Sequence, residues 1–562
     1  MALTKKRGLI ATFAITCSLC SVSVIAASAT GVGNAGVAMK DVEANRPMQA
    51  TKANPKLSMP ARPPMNAPVG SLKLNLSQFD ISGNTIFSEN SLKHLIRGYI
   101  KEQTSFADLL RAANEITNFY RDAGYLVARA YVPEQEIQNG VVEITVLEGL
   151  VGEVSVNNQS STSNGLVASY ISKVKAGEVV SRNNVERSML LLNDLPGIEA
   201  SAAFKVGKNE GTTDLDVMLK PTKRITGSID ANNYGSDFTG QGRLGGSVYI
   251  NGLIGMGDAL GLRILASEDG GTVYGSVDYS LAVGGYGTRV GVKYSNLNSD
   301  VGDAFVNLEL ESEADTLGIF VAHPILRSRD NNLYVQMGVE NRTVEQIFAG
   351  ALSTSNSEDD VTVLTGAVTG DFRDAILGGG VSSYGLAVQQ GLDDLDPISV
   401  SKLGADGKFL KLDLSFQRLQ YLTDTTSLSL KLAGQFTGDP LVSSEQLSLG
   451  GPNGVRAFIN GEGLADSAFV MNAEIRHVLP FQNKFITNTQ VIGFYDYGKG
   501  EVTDPLTGTE SDFDLGGIGL GLTVGIIGNY QLGVSYARST SGAALTDDDD
   551  GQFLLQAVKW FQ

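Results

Sequence analysis

The stretch LGGPNGVRAFINGEG, Leu449 to Gly463, sets one arginine, Arg456, and one phenylalanine, Phe458, among five glycines and a proline. Glycine and proline alone read as a solvated loop. Downstream, VIGFYDYGKG, Val491 to Gly500, has the two-residue period of a strand, which puts Phe494, Asp496 and Gly498 on one face and Tyr495 and Tyr497 on the other. Tyrosines suit a lipid interface and an aspartate does not, so Asp496 is expected to turn away from lipid. Partly dehydrated there, it calls for a bidentate cation, which arginine's planar fork supplies. The expected pair is Arg456 with Asp496, with Val455 and Phe458 on the same loop, Phe458 against Phe494, and Gly498 leaving room for the backbone. In water such a pair contributes about 0 to 1 kcal/mol, whereas removing one partner of a dehydrated pair costs about 3 to 5 kcal/mol, a gap sufficient for a conformational latch.

Little else in the chain has the spacing for chemistry. His94, His323 and His477 are scattered, with no second ligand at metal spacing, and read as solvated or structural. No G-x-S-x-G elbow, P-loop or H-E-x-x-H is present, so enzyme, cofactor and metal readings lack a starting residue. TDDDDG, Thr546 to Gly551, resembles part of a calcium loop but lacks the glutamate that would complete it, and is read with SNSEDD, Ser355 to Asp360, as a solvated extracellular loop.

The elements that must position the Arg456–Asp496 pair are strands. From about Thr222 onward, short alternating segments are separated by turns rich in Gly, Asn and Asp. In TRVGVKYSN, Val290, Val292 and Tyr294 face one way and Arg289, Lys293 and Ser295 the other. In SLSLKLAGQF, Leu428, Leu430, Leu432 and Phe436 oppose Ser429, Lys431 and Gln435; FLKLDLSFQ and NYQLGVSYAR repeat the pattern. One apolar and one polar face fits a soluble sandwich or a membrane barrel with a wet lumen. A sandwich would bury Lys293, Lys411, Asp413 and Lys431 unpaired, which favours the barrel. The terminal LLQAVKWFQ adds aromatics suited to an interfacial girdle. Roughly 340 residues at about 20 per strand and connection gives on the order of 16 antiparallel strands, an even number that closes without an edge.

The preceding zones differ in kind. Residues 1–29 have the form of a secretory signal: Lys5, Lys6 and Arg7, an apolar stretch, then Ala27-Ser28-Ala29. Both cysteines, Cys17 and Cys20, fall inside it, so no disulfide is expected after cleavage. Its loss lowers Lys plus Arg from 43 to 40 against 61 acidic residues, a net charge of −21 that argues against a nucleic-acid partner. Residues 30–71 read as a linker containing MPARPPMNAP, with a faint helical signal near Ala38 to Ala50. Residues 72–150 and 151–221 each follow the order β-α-α-β-β, and in the first copy Ser105 with Asp108 forms a capping pair ahead of the helix Phe106 to Asp122.

With GNTIFS, GYLVARAYVP and EGLVGEVSV at its joints, this order resembles the POTRA modules of two-partner secretion transporters, the hemolysin secretion and activation family. VRAF at Val455 to Phe458 is similar to that family's V-R-G-[YF] loop, and FYDYG at Phe494 to Gly498 to its F-x-D-x-G strand. Two departures stand out: Ala457 replaces a glycine, which disfavours φ above zero, and the chain ends Phe561-Gln562 rather than on the aromatic. The resemblance implies two POTRA modules, residues 72–150 and 151–221, followed by a barrel of about 16 strands over residues 222–562. It also implies an outer-membrane transporter of a Gram-negative bacterium with its modules in the periplasm. Its partners would be a secreted exoprotein, a large β-helical adhesin or hemolysin, together with outer-membrane lipid and the barrel assembly machinery that inserts it. An N-terminal helix can plug the pore in this family. Exposed strand edges and a groove beside the first module's long helix, lined by Phe106, Leu109, Leu110, Ile116 and Tyr120, are expected to capture an extended segment of the exoprotein by β-augmentation. The competing readings are an assembly factor of the same superfamily, which usually carries more modules, and a diffusion porin, which has no use for them.

Overall fold

The alternation from Ile225 onward produces strands that close on themselves. The computed structural model describes residues 34–48, 52–58, 73–302, 310–348, 355–395, 400–505, 511–542 and 551–561, apart from residues 210, 237, 403 and 482. Residues 1–29, read as a leader, MPARPPMNAP and the aspartates of TDDDDG lie outside the described residues. Among the described residues no helix is long and apolar enough to cross a membrane. Sixteen antiparallel strands, from Ile225–Asn232 to Gly551–Phe561, pair in order around a closed barrel, the last joining the first from Gly227↔Phe561 to Asn232↔Gln556. Its outer face exposes Val292, Tyr294, Ile319, Leu428, Phe436 and Leu520, while Ser295, Ser429, Gln435 and Asp496 are buried on the inner one. SNSEDD is not a loop: it begins the strand Ser355–Asp374, whose pairing with Asn331–Phe348 extends through these polar residues.

The segment expected to be a linker contains structure. Helix α1 is Ala35–Ala44, earlier in the chain than the faint signal placed it, because the Asn34 side chain accepts from Val37 N and starts it there. Strand β1 is Lys56–Ser58. It pairs in parallel with a strand of the second module, Lys56 opposite Ser201 and Ser58 opposite Ala203.

The first module runs β2 (Lys73–Leu74), β3 (Gln78–Ser82), α2 (Glu89–Ile96), β4 (Thr104–Ser105), α3 (Phe106–Asp122), β5 (Arg129–Tyr131) and β6 (Val141–Leu147), and the second β7 (Leu150–Asn158), α4 (Asn164–Ile171), α5 (Arg182–Asp194), β8 (Ile198–Val206) and β9 (Thr212–Pro221). Their sheets order as β3-β6-β5 and β1-β8-β9-β7. The Ser105–Asp108 capping box is formed, each residue's side chain accepting from the other's backbone N–H at 3.2 and 3.0 Å.

The apolar stripe of α3 faces the sheet and not a groove. Leu109, Ile116 and Tyr120 are buried in the module core beside Phe79, Val142 and Ile144, Leu110 is buried, and Phe106 packs half-buried against the same cluster. Helical spacing puts Leu109, Ile116 and Tyr120 on the side that the sheet must cover, so these three are unavailable to a partner, while Phe106 keeps part of its ring exposed. The groove assignment is therefore corrected. The face of α3 left in solvent carries Arg111, Asn114, Asn118 and Phe119.

The joint motifs have a physical cause. Glu148 accepts from Thr85 N at 2.7 Å, Ile86 N at 2.8 Å, the Thr85 hydroxyl and the Tyr120 hydroxyl at 2.8 Å, tying EGLVGEVSV to the turn of GNTIFS. Burial works to raise its carboxyl, but these donors prevail and hold it below the usual range. Burial, with Glu148 beside it, pushes the Tyr120 hydroxyl well up. Gly149 has φ 78°, and a Cβ there would stand 2.4 Å from Val127 Cγ2, so no other residue fits.

Candidate functional site

Residues 438–466 join the strands Thr426–Thr437 and Ser467–Val478. A long connection rich in glycine either extends into solvent or finds apolar surface to bury. Here it folds into the barrel. Leu449, Val455, Ala457 and Phe458 are buried in one cluster with wall residues Val470, Phe494, Phe513 and Leu515. Two small contacts make the approach possible: a Cβ on Gly498 would lie 3.1 Å from Val455 Cγ2, and one on Gly517 would lie 2.9 Å from Ala457 Cβ. Among the described residues, the non-glycine positions with positive φ are Asn139, Leu377 and Asp504, so Ala457 adopts an ordinary backbone and its methyl fills the space over Gly517.

Arg456 reaches the wall. Its Nε donates to Asp496 Oδ2 at 2.8 Å and its Nη2 to Asp496 Oδ1 at 2.7 Å, the bidentate geometry of a guanidinium on a carboxylate. Its backbone N–H adds a third bond to Asp496 Oδ2 at 3.2 Å. The guanidinium lies 3.6 Å over the Phe494 ring, so arginine stacks where Phe458 had been expected, while Phe458 occupies the same cluster. Asp496 is fully buried, which removes the water that would weaken the pair.

The neighbouring strand supplies groups that sequence inspection had not singled out. Glu474 Oε1 accepts from Arg456 Nη1 at 2.7 Å and its Oε2 from Arg476 Nε at 2.8 Å. Asn472 donates to Asp496 Oδ1 at 2.8 Å and to Gly454 O at 2.7 Å, fastening the loop beside the pair. A signal was present: Asn472, Glu474 and Arg476 share one face of SAFVMNAEIRHV, and Asn472 is directly opposite Asp496.

Helix α1 occupies the lumen beside the loop. Met39 and Val42 pack with Leu265, Tyr274, Leu297, Ala314 and Val344 of the wall. Ala35 N donates to Ser312 Oγ at 3.0 Å, Arg243 Nη1 to Asp41 Oδ2 at 2.6 Å, and Asn453 of the loop to Asn45 Oδ1 at 3.0 Å. Lys411 and Asp413 are accordingly 1% and 0% exposed, not bathed in lumenal water. Lys411 Nζ donates to Glu445 Oε2 at 2.5 Å, and Asp413 accepts from Gln389 Nε2 at 2.5 Å. Lys293 pairs with Glu340 at 2.7 Å, and Lys431 alone of the four remains exposed. The expectation of a wet lining holds for Lys431 and fails where loop and helix cover the wall. Among the described residues no cluster of His, Cys, Asp and Glu could hold a metal.

A closed β-barrel preceded in the chain by α/β modules, with its own loop and helix inside, defines the POTRA-plus-barrel class of membrane protein. Residues 211–524 match the family described as haemolysin secretion/activation protein ShlB/FhaC/HecB, and residues 74–149 match the ShlB-type POTRA domain. The chain belongs to that family, whose members are two-partner secretion transporters. It is 28% identical over 506 residues to the heme/hemopexin transporter protein HuxB of Haemophilus influenzae, covering 87% of this chain and 88% of that protein. It is 23% identical over 435 residues to the hemolysin transporter protein ShlB of Serratia marcescens, covering 76% of each. Among solved structures it is similar to CdiB from Escherichia coli, with TM-score 0.70 and 20% identity over 89% of this chain and 93% of that one, a likeness of fold.

Proposed function

We propose that this chain exports one partner exoprotein, a large β-helical adhesin or hemolysin, as an unfolded polypeptide through its barrel without ATP. The observation that carries the reading is that two segments of the chain itself, the loop 438–466 and α1, lie in the lumen, seated on apolar clusters and on ion pairs. The ion pairs can be rehydrated once water enters, and neither segment is a strand of the closed barrel, so both can leave while the wall stays intact. On this reading α1 is a resting plug, and the Arg456–Asp496 pair is the latch that sets the loop's position. Folding of the exported chain outside makes passage one-way.

Capture in the periplasm is assigned to sheet edges, by β-augmentation. What supports this is that the β8 edge already accepts an extended segment, β1, in parallel register over Lys56–Ser58. Main-chain hydrogen bonds supply affinity there, and the alternating side chains supply choice.

The test compares supernatant and surface proteomes of the native bacterium with and without this gene. Loss of one large exoprotein, with other barrels unchanged, is the expected result. A general fall in outer-membrane barrels would overturn the reading in favour of an assembly factor, and altered small-molecule permeability alone would favour a porin.

A further inference from the structure

The lumenal loop has a second anchor at its root, built with the charges reversed. Glu445 is fully buried in the turn Ser443–Glu445, just after the strand Thr426–Thr437. Its Oε1 accepts from Arg342 Nη1 at 2.6 Å, and its Oε2 accepts from Lys411 Nζ at 2.5 Å and lies 3.7 Å from Lys40 Nζ. Arg342 belongs to the strand Asn331–Phe348, Lys411 to the strand Lys408–Tyr421, and Lys40 to α1. One carboxylate thus meets cations from two wall strands and from the helix.

Packing at the same turn is independent of charge. A Cβ on Gly36 would fall 2.7 Å from Ser444 Cβ and 2.8 Å from Val344 Cγ2. Gly36 and Lys40 are four residues apart and share one face of α1, so the helix rests on this turn with no space for a side chain between them. The turn itself is held from below and behind: Glu445 O accepts from Lys411 Nζ and from Gln435 Nε2, each at 3.2 Å. The buried carboxylate of Asp466, at the other root of the loop, accepts from Leu441 N at 3.0 Å and from Gln446 Nε2 at 2.8 Å.

We propose that Glu445 is the positioning residue that seats α1 in the lumen, so that movement of the loop root and departure of the helix are a single event. The inference rests on the reading of α1 as a plug. Removing this carboxylate takes from Lys411 and Lys40 the nearest counter-charge they share in a dehydrated site, and the state in which water re-enters is favoured over the seated one. The tip latch at Arg456 need not break for this to happen, because its partners Asp496 and Glu474 lie on other strands.

The experiment uses the full chain in planar lipid bilayers, together with maleimide labelling of an Ala38→Cys variant in outer-membrane vesicles; Cys17 and Cys20 lie in the leader and would not interfere after its cleavage. Glu445→Gln is expected to raise the fraction of time the pore is open by about tenfold or more, and to accelerate labelling of Ala38→Cys to a similar extent. Lys40→Met should do the same with both wall cations still paired to Glu445, and Lys40→Arg should restore the closed state. If Glu445→Gln fails to insert, the Lys40 pair of variants decides alone. Wild-type conductance and labelling in inserted Glu445→Gln, or in Lys40→Met, overturns the proposal. Deletion of residues 34–46 separates the two readings: if it opens the pore while Glu445→Gln does not, the seat is wrong and the plug stands, and if it changes nothing the plug reading fails first.

Discussion

The modules and the lumen both bury apolar clusters, but the lumen adds a set of buried ion pairs. The first module is held by aliphatic and aromatic side chains, Leu92, Ile96, Leu109, Ile116 and Tyr120 against Phe79, Val142 and Ile144, all buried. In the lumen, Arg456 meets Asp496 and Glu474, Glu445 meets Arg342, Lys411 and Lys40, and Arg243 meets Asp41, beside apolar clusters that join Leu449, Val455 and Phe458 to Phe513 and Leu515, and Met39 and Val42 to Leu265 and Leu297. Apolar burial has no substitute in water, whereas a charged contact does once water enters. On the proposed reading, the lumenal ion pairs are the contacts that water re-entry loosens, and the module core stays dry.

The comparison can be broken from the lumen side most severely at the loop tip. Arg456→Ala leaves Asp496 buried with its cation gone and Glu474 with Arg476 alone, and is expected to cost the seated loop about 3 to 5 kcal/mol. Export of the partner exoprotein should fall to background while the barrel stays inserted and heat-modifiable on gels. Normal export by such a variant would remove the latch from the mechanism.

From the module side, Ile116→Ala deletes fully buried methyl groups and should destabilise the first module by about 2 to 5 kcal/mol. Limited proteolysis of the purified full chain should then cut within residues 73–147 with the barrel fragment untouched. Equal protease resistance of the variant and the wild type would mean that the module core does not depend on this packing.

Asp496→Asn sharpens the contrast, because Arg456 retains Glu474 and its stacking on Phe494. Its effect on export should be smaller than that of Arg456→Ala, about 1 to 3 kcal/mol in loop position. Equal or greater loss would place most of the latch energy on Asp496 alone.

The smallest effect concerns Glu148, a charged group that helps to hold the first module together. The Glu148 carboxyl is held below its ordinary value of 4.5, so its contribution is complete above that pH and is lost as pH falls through the depressed folded value. Protease sensitivity of the modules should rise on acidification below about pH 4 in wild type, and Glu148→Gln should show part of that sensitivity already at neutral pH. A flat acid profile in wild type would leave Glu148 without a stabilising role.

Much of this was legible in the residues themselves. Two-residue alternation in TRVGVKYSN and SLSLKLAGQF placed Val292 and Phe436 outward and Ser295 and Gln435 inward, because strand geometry permits no other assignment. The Arg456–Asp496 pairing was legible for a related reason: a lone carboxylate on an inward face needs a cation, and VRAF offered one. The groove on α3 was misread because helical spacing identifies an apolar stripe without saying what covers it. The exposure of Lys411 and Asp413 was misread because a strand pattern fixes the face of a side chain and not what fills the space beyond it.

The chain by itself therefore determined the architecture, the direction in which each strand residue points, and the charge that Asp496 would demand, since these follow from local periodicity and from the cost of an unpaired ion. Only the tertiary structure decided that α1 lies in the lumen, that β1 completes the second module's sheet, and that Glu445 gathers Arg342, Lys411 and Lys40. Those contacts join residues tens to hundreds of positions apart. For α1 and Glu445 that proximity comes from closing sixteen strands into one ring, and for β1 from the open edge of the second module's sheet, and no local pattern encodes either.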